Sequence, residues 1–82
     1  GNVTEMRKRA LELTSAGVQL ITLLALNDDG APSYDHANAE YFASLGIPVF
    51  ACTPDLFPDL MAAALSKQDI QQWAGDQSIK VS

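Results

Sequence analysis

The stretch YFASLGIPVFAC, residues 41–52, contains the end of a helix, a glycine stop and an apolar strand in consecutive positions. Gly46 can adopt the left-handed backbone conformation with which many helices end. Residues 47–52 follow as a buried strand, and Pro48, which lacks a backbone donor, predicts that this strand begins at an edge or an entry point of the sheet. Three residues at four-residue steps form the apolar face of the preceding helix: Ala37, Tyr41 and Leu45.

The same order of features occurs earlier in the chain. Gly17 ends a predicted first helix, and residues 18–26 follow as an almost continuous apolar strand. Weak alternation in that strand predicts burial on both faces, as in a parallel sheet. Because Gly17 and Gly46 are 29 residues apart and each precedes a strand, the repeat predicts parallel strands joined by a crossover helix. Five residues form the apolar face of the first helix: Val3, Met6, Ala10, Leu13 and Gly17.

Two further helices are predicted after the second strand. DLMAAALS, residues 59–66, has strong helical character, and Ser66 with Asp69 resembles a capping box that starts another helix. That helix is expected to run through Trp73 and to end at Gly75. Since the residues around Trp73 are mostly polar, its indole is expected to pack as an isolated lid or against a partner.

The tail, residues 76–82, alternates apolar and polar side chains and is either a short edge strand or a loose end. The predicted order is therefore helix, strand, helix, strand, helix, helix, with a possible C-terminal edge strand. This order is typical of an α/β fold with parallel strands and crossover helices.

Composition excludes several classes of protein. The chain has 82 residues, is 48 % hydrophobic and has a formal net charge of −5, so it has the composition of a single folded domain without the basic face that nucleic acids require. The one basic cluster is Arg7, Lys8 and Arg9, whose side chains point in different directions on a helix and are expected to be solvated. No apolar run reaches membrane-spanning length, and the single cysteine indicates a cytoplasmic location.

Acidic residues follow both predicted strands, at the point where ligands bind in open parallel sheets. Asp28 and Asp29 follow the first strand, and Thr53 and Asp55 follow the second. Their oxygens are the ligands that Mg²⁺ or Ca²⁺ prefers, but the spacing is not that of a calcium loop. The competing and favoured interpretation is that these are turn and helix-cap residues, with no metal and no cofactor bound.

A second candidate site is a catalytic pair made from Cys52 and His36, the only cysteine and the only histidine. Cys52 lies within an apolar strand, so packing is the favoured interpretation of its thiol. His36 follows Asp35, a candidate helix cap, and is expected at the surface. Nucleotide-binding glycine motifs and a serine nucleophile elbow are absent from the sequence, and the chain is predicted not to be an enzyme.

The blocks ALNDDGAPSYDH, residues 25–36, and FACTPDLFPDLMAAAL, residues 50–65, resemble the C-terminal part of the von Willebrand factor A-type domain of bacterial CoxE-like proteins. The similarity extends over nearly the whole chain. It implies a Rossmann-like fold and implies that residues 1–82 form part of one larger domain. The family's metal motif Asp-x-Ser-x-Ser is absent from this sequence, and no metal ligand can be transferred to a residue here.

The resemblance also implies a role. Proteins of this kind act as protein-interaction modules beside MoxR-type AAA+ ATPases, in the assembly or maturation of other complexes. We therefore expect a non-enzymatic interaction domain with a protein partner. The alternative is a small metal- or ligand-binding module that uses Asp28, Asp29 and Asp55. As an isolated piece the chain is expected to form homo-oligomers, through unpaired strand edges or exchange of the helix around Trp73.

Overall fold

The computed structural model describes residues 2–33, 36–66 and 69–82 and places helices on both faces of a three-stranded sheet. The helices are α1 (Asn2–Ser15), α2 (Ala37–Ser44), α3 (Phe57–Leu65) and α4 (Ile70–Asp76), and a 3-10 turn, Pro54–Leu56, precedes α3. The strands are β1 (Thr22–Ala25), β2 (Val49–Cys52) and β3 (Lys80–Val81). The order of elements is the predicted one, and the α/β character is confirmed.

The sheet is mixed, with β2 in the centre. β1 and β2 are parallel, with Thr22 opposite Val49 and Ala25 opposite Cys52. β3 pairs with β2 in the antiparallel direction, so the edge-strand interpretation of the tail is confirmed for its last residues. Pro48 stands just before a central strand, where its carbonyl oxygen accepts a 2.9 Å hydrogen bond from the Thr22 N–H. The expectation of an edge at Pro48 is therefore wrong, and that of an entry point is correct.

β1 is shorter than the predicted strand at residues 18–26. Val18 belongs to the hydrogen-bonded motif that closes the end of α1, because its backbone N–H donates to the carbonyl oxygen of Leu13 at 3.0 Å. The prediction that β1 is buried on both faces is also wrong, since all four of its residues are half-buried. β2, in contrast, is buried along its whole length.

Three helices end in the same hydrogen-bonded motif. Gly17 and Gly46 have φ values of 84° and 83°, as the helix-stop prediction requires. α4 continues through Gly75, so the prediction that Gly75 ends it is wrong, and Ser78 takes the left-handed conformation with φ 60°. In each case the next residue donates its N–H back into the helix, for example from Ile79 to the carbonyl oxygen of Ala74 at 2.8 Å.

The start of α4 also differs from the capping-box prediction. Asp69 is the N-cap, and its Oδ1 accepts a hydrogen bond from the Gln72 N–H at 3.2 Å. Ser66 instead ends α3, and its hydroxyl donates to the Ala63 carbonyl oxygen at 2.8 Å. The aspartate therefore has the capping role that the sequence pattern gave to the serine. The candidate cap Asp35 lies outside the described residues.

The main core lies between the sheet and the helices α3 and α4. Phe50 and Leu60 are fully buried there, and Trp73 packs against the same cluster, so its indole is part of the intramolecular packing. A smaller cluster joins α1 to α2 through Ala10, Phe42 and the nearby Ile47. α2 is therefore the helix that connects α1 to the sheet.

Part of the outer side of β1 is covered by the chain itself. Leu26 and Pro32 form an antiparallel bridge, and the Ser33 N–H donates to the carbonyl oxygen of Ala25 at 3.0 Å. A backbone segment therefore follows this edge where the sequence predicted an unpaired flank.

Candidate functional site

The first acidic pair lies in a tight turn. The Gly30 N–H donates to the Asn27 carbonyl oxygen at 2.9 Å, and the Asn27 N–H donates to the Ala31 carbonyl oxygen at 2.7 Å. Asp29 stabilises the turn because its Oδ1 accepts a 2.9 Å hydrogen bond from the Ala31 N–H. Gly30 has φ 87°, a conformation that glycine adopts without strain. Asp28 and Asp29 are therefore exposed residues of a turn that folds the chain back along β1.

The two strand ends are adjacent, as expected, because the Leu26 N–H donates to the Cys52 carbonyl oxygen at 2.9 Å. Thr53 is the N-cap of the 3-10 turn, without a side-chain capping bond, and Asp55 lies exposed within that turn. Among residues 2–33, 36–66 and 69–82, no three His, Cys, Asp or Glu side chains group closely enough to hold a metal ion. Asp28, Asp29 and Asp55 therefore lie at the same end of the sheet but do not come together around a common point that could hold a metal ion.

Cys52 and His36 lie on different faces of the sheet. The Cys52 thiol is buried in the cluster beneath α3 and α4, and burial, followed by the nearby Asp55 carboxylate, raises its pKa above the usual value of 9.0. His36 is the exposed N-cap residue of α2 on the other face, with Nε2 3.3 Å from Oε1 of Glu40. The geometry gives the thiol no histidine base and disfavours the thiolate that nucleophilic chemistry needs.

The sequence analysis missed a cleft of about 390 Å³ between α2 and the sheet. Leu24, Val49 and Ala51 form its floor, and Ala39 and Ala43 form its α2 wall. α2 packs on β1 and β2, so the cleft lies between this helix and the two strands. The two alanines, four residues apart on one helix face, were the available sequence signal, since small side chains leave room beside a sheet.

The polar residues of the cleft stand at its rim. His36 is the N-cap residue of α2, Glu40 lies in α2, Lys80 lies in β3 and Ser82 follows β3; all four are exposed. The apolar floor is largely buried, with Val49 only 3 % exposed. An apolar floor within a charged rim has the composition of a protein-binding surface.

Comparison of the chain with protein-family models, curated proteins and solved structures gave no match. Within the described part of the chain, no helix has both the length and the apolar character needed to cross a membrane.

Proposed function

We propose that this chain is part of a von Willebrand factor A-type domain of the CoxE-like kind and that it acts as a non-enzymatic protein-interaction domain. Its partner is a MoxR-type AAA+ ATPase, with which it works in the bacterial cytoplasm on the assembly or maturation of other complexes. The resemblance of residues 25–36 and 50–65 to that family is the basis for naming the partner.

The observation that carries the proposal is the position of the exposed apolar side chains. Six large apolar side chains in the described residues are about half exposed or more, and four of them lie between residues 3 and 18. They are Val3, Met6, Leu11 and Val18. A concentration of exposed apolar side chains on α1 and in the turn after it supports a protein contact in this part of the molecule.

The separation of Cys52 from His36 supports the non-enzymatic part of the proposal. Asp29 already accepts a backbone hydrogen bond within its own turn, so the alternative of a ligand-binding acidic rim has less support. These observations favour a protein contact through exposed apolar side chains. They give less support to catalysis or ligand binding at the strand ends.

Binding to a purified MoxR-type ATPase, measured by biolayer interferometry, tests the proposal. Leu11→Asp places a charge among the exposed apolar side chains of α1, and we expect it to weaken binding about tenfold or more. Leu65→Asp is the matched control, because Leu65 is 84 % exposed and lies on a different helix, α3. Absence of binding by the unchanged protein, or equal loss in both variants, would reject the proposal.

A further inference from the structure

We propose that the cleft beside α2 receives the first turns of α1 from a second copy of this chain. The cleft and α1 are different surfaces, so the contact is heterologous. This inference goes beyond the proposed function, because it concerns contacts between identical chains. It draws on Val3 and Met6, two of the four exposed apolar residues named above, and not on Leu11.

The chemistry of the cleft favours a protein occupant over a small molecule. Small-molecule sites combine apolar walls with a few well-placed polar groups that fix the orientation of the ligand. None of the described residues buries a polar or charged side chain, and the polar side chains that line this cleft are all exposed: His36, Glu40, Lys80 and Ser82. An apolar floor with no buried polar group selects an apolar surface of matching shape.

The beginning of α1 offers such a surface. Val3 and Met6 lie on the same helix face as Ala10, which is buried against α2. Val3 and Met6 are each 47 % exposed, so the chain's own core leaves about half of this apolar pair in water. Burial of both side chains in another molecule would remove that apolar area from solvent.

Charge points to a second copy as the source of that surface. Residues 2–15 carry three basic and two acidic side chains, whereas the rest of the chain carries two basic and eight acidic ones. Glu40 stands at the rim of the cleft, and Asp28 and Asp29 belong to the turn whose Gly30 lines it. Lys80 also stands at the rim, but the three carboxylates outnumber it, so this part of the molecule keeps an acidic excess that is complementary to the basic segment of another copy.

Arg9 is the basic residue placed to meet Glu40. It follows Met6 by three positions and therefore lies on the same side of α1, whereas Lys8 follows Met6 by two and points away. The ion pair of Arg9 with Glu12, at 3.3 Å, is solvent-exposed and contributes little, so it can be exchanged for a contact with Glu40.

Sedimentation velocity over a wide concentration range tests the proposal on the protein alone. We expect concentration-dependent association of the 8.8 kDa chain. Met6→Asp, Arg9→Glu and Glu40→Lys should each weaken association about tenfold or more. The matched controls Lys8→Glu and Asp76→Lys change the net charge equally on other surfaces and should leave association unchanged. Circular dichroism checks that each variant folds.

Mixing the variants gives the decisive result. In each variant alone, residues 9 and 40 carry charges of the same sign and repel each other between copies. In an equimolar mixture of Arg9→Glu and Glu40→Lys, residues 9 and 40 of different copies carry opposite charges, so association should return. Photo-methionine at position 6 should cross-link to the cleft floor near Leu24 or Val49 of an isotope-labelled second copy.

A monomer at every concentration overturns the inference, as does equal weakening by Lys8→Glu and Arg9→Glu. Cross-links confined to the outer edge of β1 or to Trp73 also overturn it, because they place the contact elsewhere. Each of these three results leaves ATPase binding and its dependence on Leu11 untouched, so the two proposals fail independently.

Discussion

β1 and β2 are both mainly apolar but have different surroundings. The four residues TLLA of β1 are half-buried, whereas the four residues VFAC of β2 are buried. β2 lies between two strands, with α2 over one face and the cluster of α3 and α4 over the other. β1 lies at the edge of the sheet, with a strand on one side only. The difference teaches that apolar character sets a strand's capacity for burial, while its place in the sheet sets the burial that it reaches.

The largest expected effect on stability comes from lost packing in the cluster between β2 and the helices α3 and α4. Leu60→Ala removes a fully buried side chain that contacts the same cluster as Phe50, and we expect the free energy of unfolding to fall by about 2–5 kcal/mol. Leu24→Ala, on half-buried β1, should cost about 1–2 kcal/mol. Urea denaturation at low protein concentration measures both values. Equal losses in the two variants would show that the surroundings of β1 are packed as well as those of β2.

Alanine at the helix stops should have the next largest effect. Gly46→Ala forces alanine into φ 83° but introduces no steric contact, so we expect a loss of about 1–2 kcal/mol from backbone strain alone. Gly17→Ala creates the same strain, yet Val18 beside it is 46 % exposed, so that end of α1 can fray and relieve it. A loss at Gly17 as large as that at Gly46 would contradict this difference in local packing.

Thiol reactivity compares the two strands at one register position, where Ala25 stands opposite Cys52. Cys52 should react with iodoacetamide more slowly, by about tenfold or more, than the thiol of Ala25→Cys in a Cys52→Ala background. The physical reason is that Cys52 is 5 % exposed, while residue 25 is half-buried. Equal rates in the folded proteins would show that β2 is no better protected than β1.

A glycine at position 78 should stabilise the protein. Ser78 has the conformation that Gly17 and Gly46 adopt in the equivalent motif, but at φ 60° its side chain makes that conformation unfavourable. Ser78→Gly is expected to raise the free energy of unfolding by about 0.5 kcal/mol, since relief of strain exceeds the entropic cost of glycine. A thermal denaturation midpoint below that of the unchanged protein would refute this.

The smallest effect is confined to alkaline pH. Burial raises the pKa of Cys52 above 9.0, so the folded state holds the thiol proton more tightly than the unfolded state does. The free energy of unfolding should therefore gain this contribution fully below pH 9 and lose it as pH rises through the raised pKa. Cys52→Ala should lack that part of the decline when both proteins are titrated with urea at several pH values. If the free energies of unfolding of the two proteins fell in parallel with rising pH, Cys52 would not be the cause of the decline.

The candidate site was predictable only in part. The turn interpretation of Asp28 and Asp29 follows from local chemistry, because Asp, Asn and Gly favour such backbone conformations wherever they occur. The exposure of His36 and the burial of Cys52 were predicted from their neighbours and are confirmed. The cleft could not be foreseen, because its floor and its α2 wall come from separate segments that meet only in the folded chain.

Local sequence patterns account for the helix ends at Gly17 and Gly46, the order of elements and the apolar character of β2. Each of these depends on backbone preferences and side-chain periodicity within a few adjacent residues. The tertiary structure alone decided that β2 is central, that β3 is antiparallel and that β1 shortens to four residues. It also decided the cleft. These features depend on which distant segments pack together, and burial is a property of that packing rather than of any one segment.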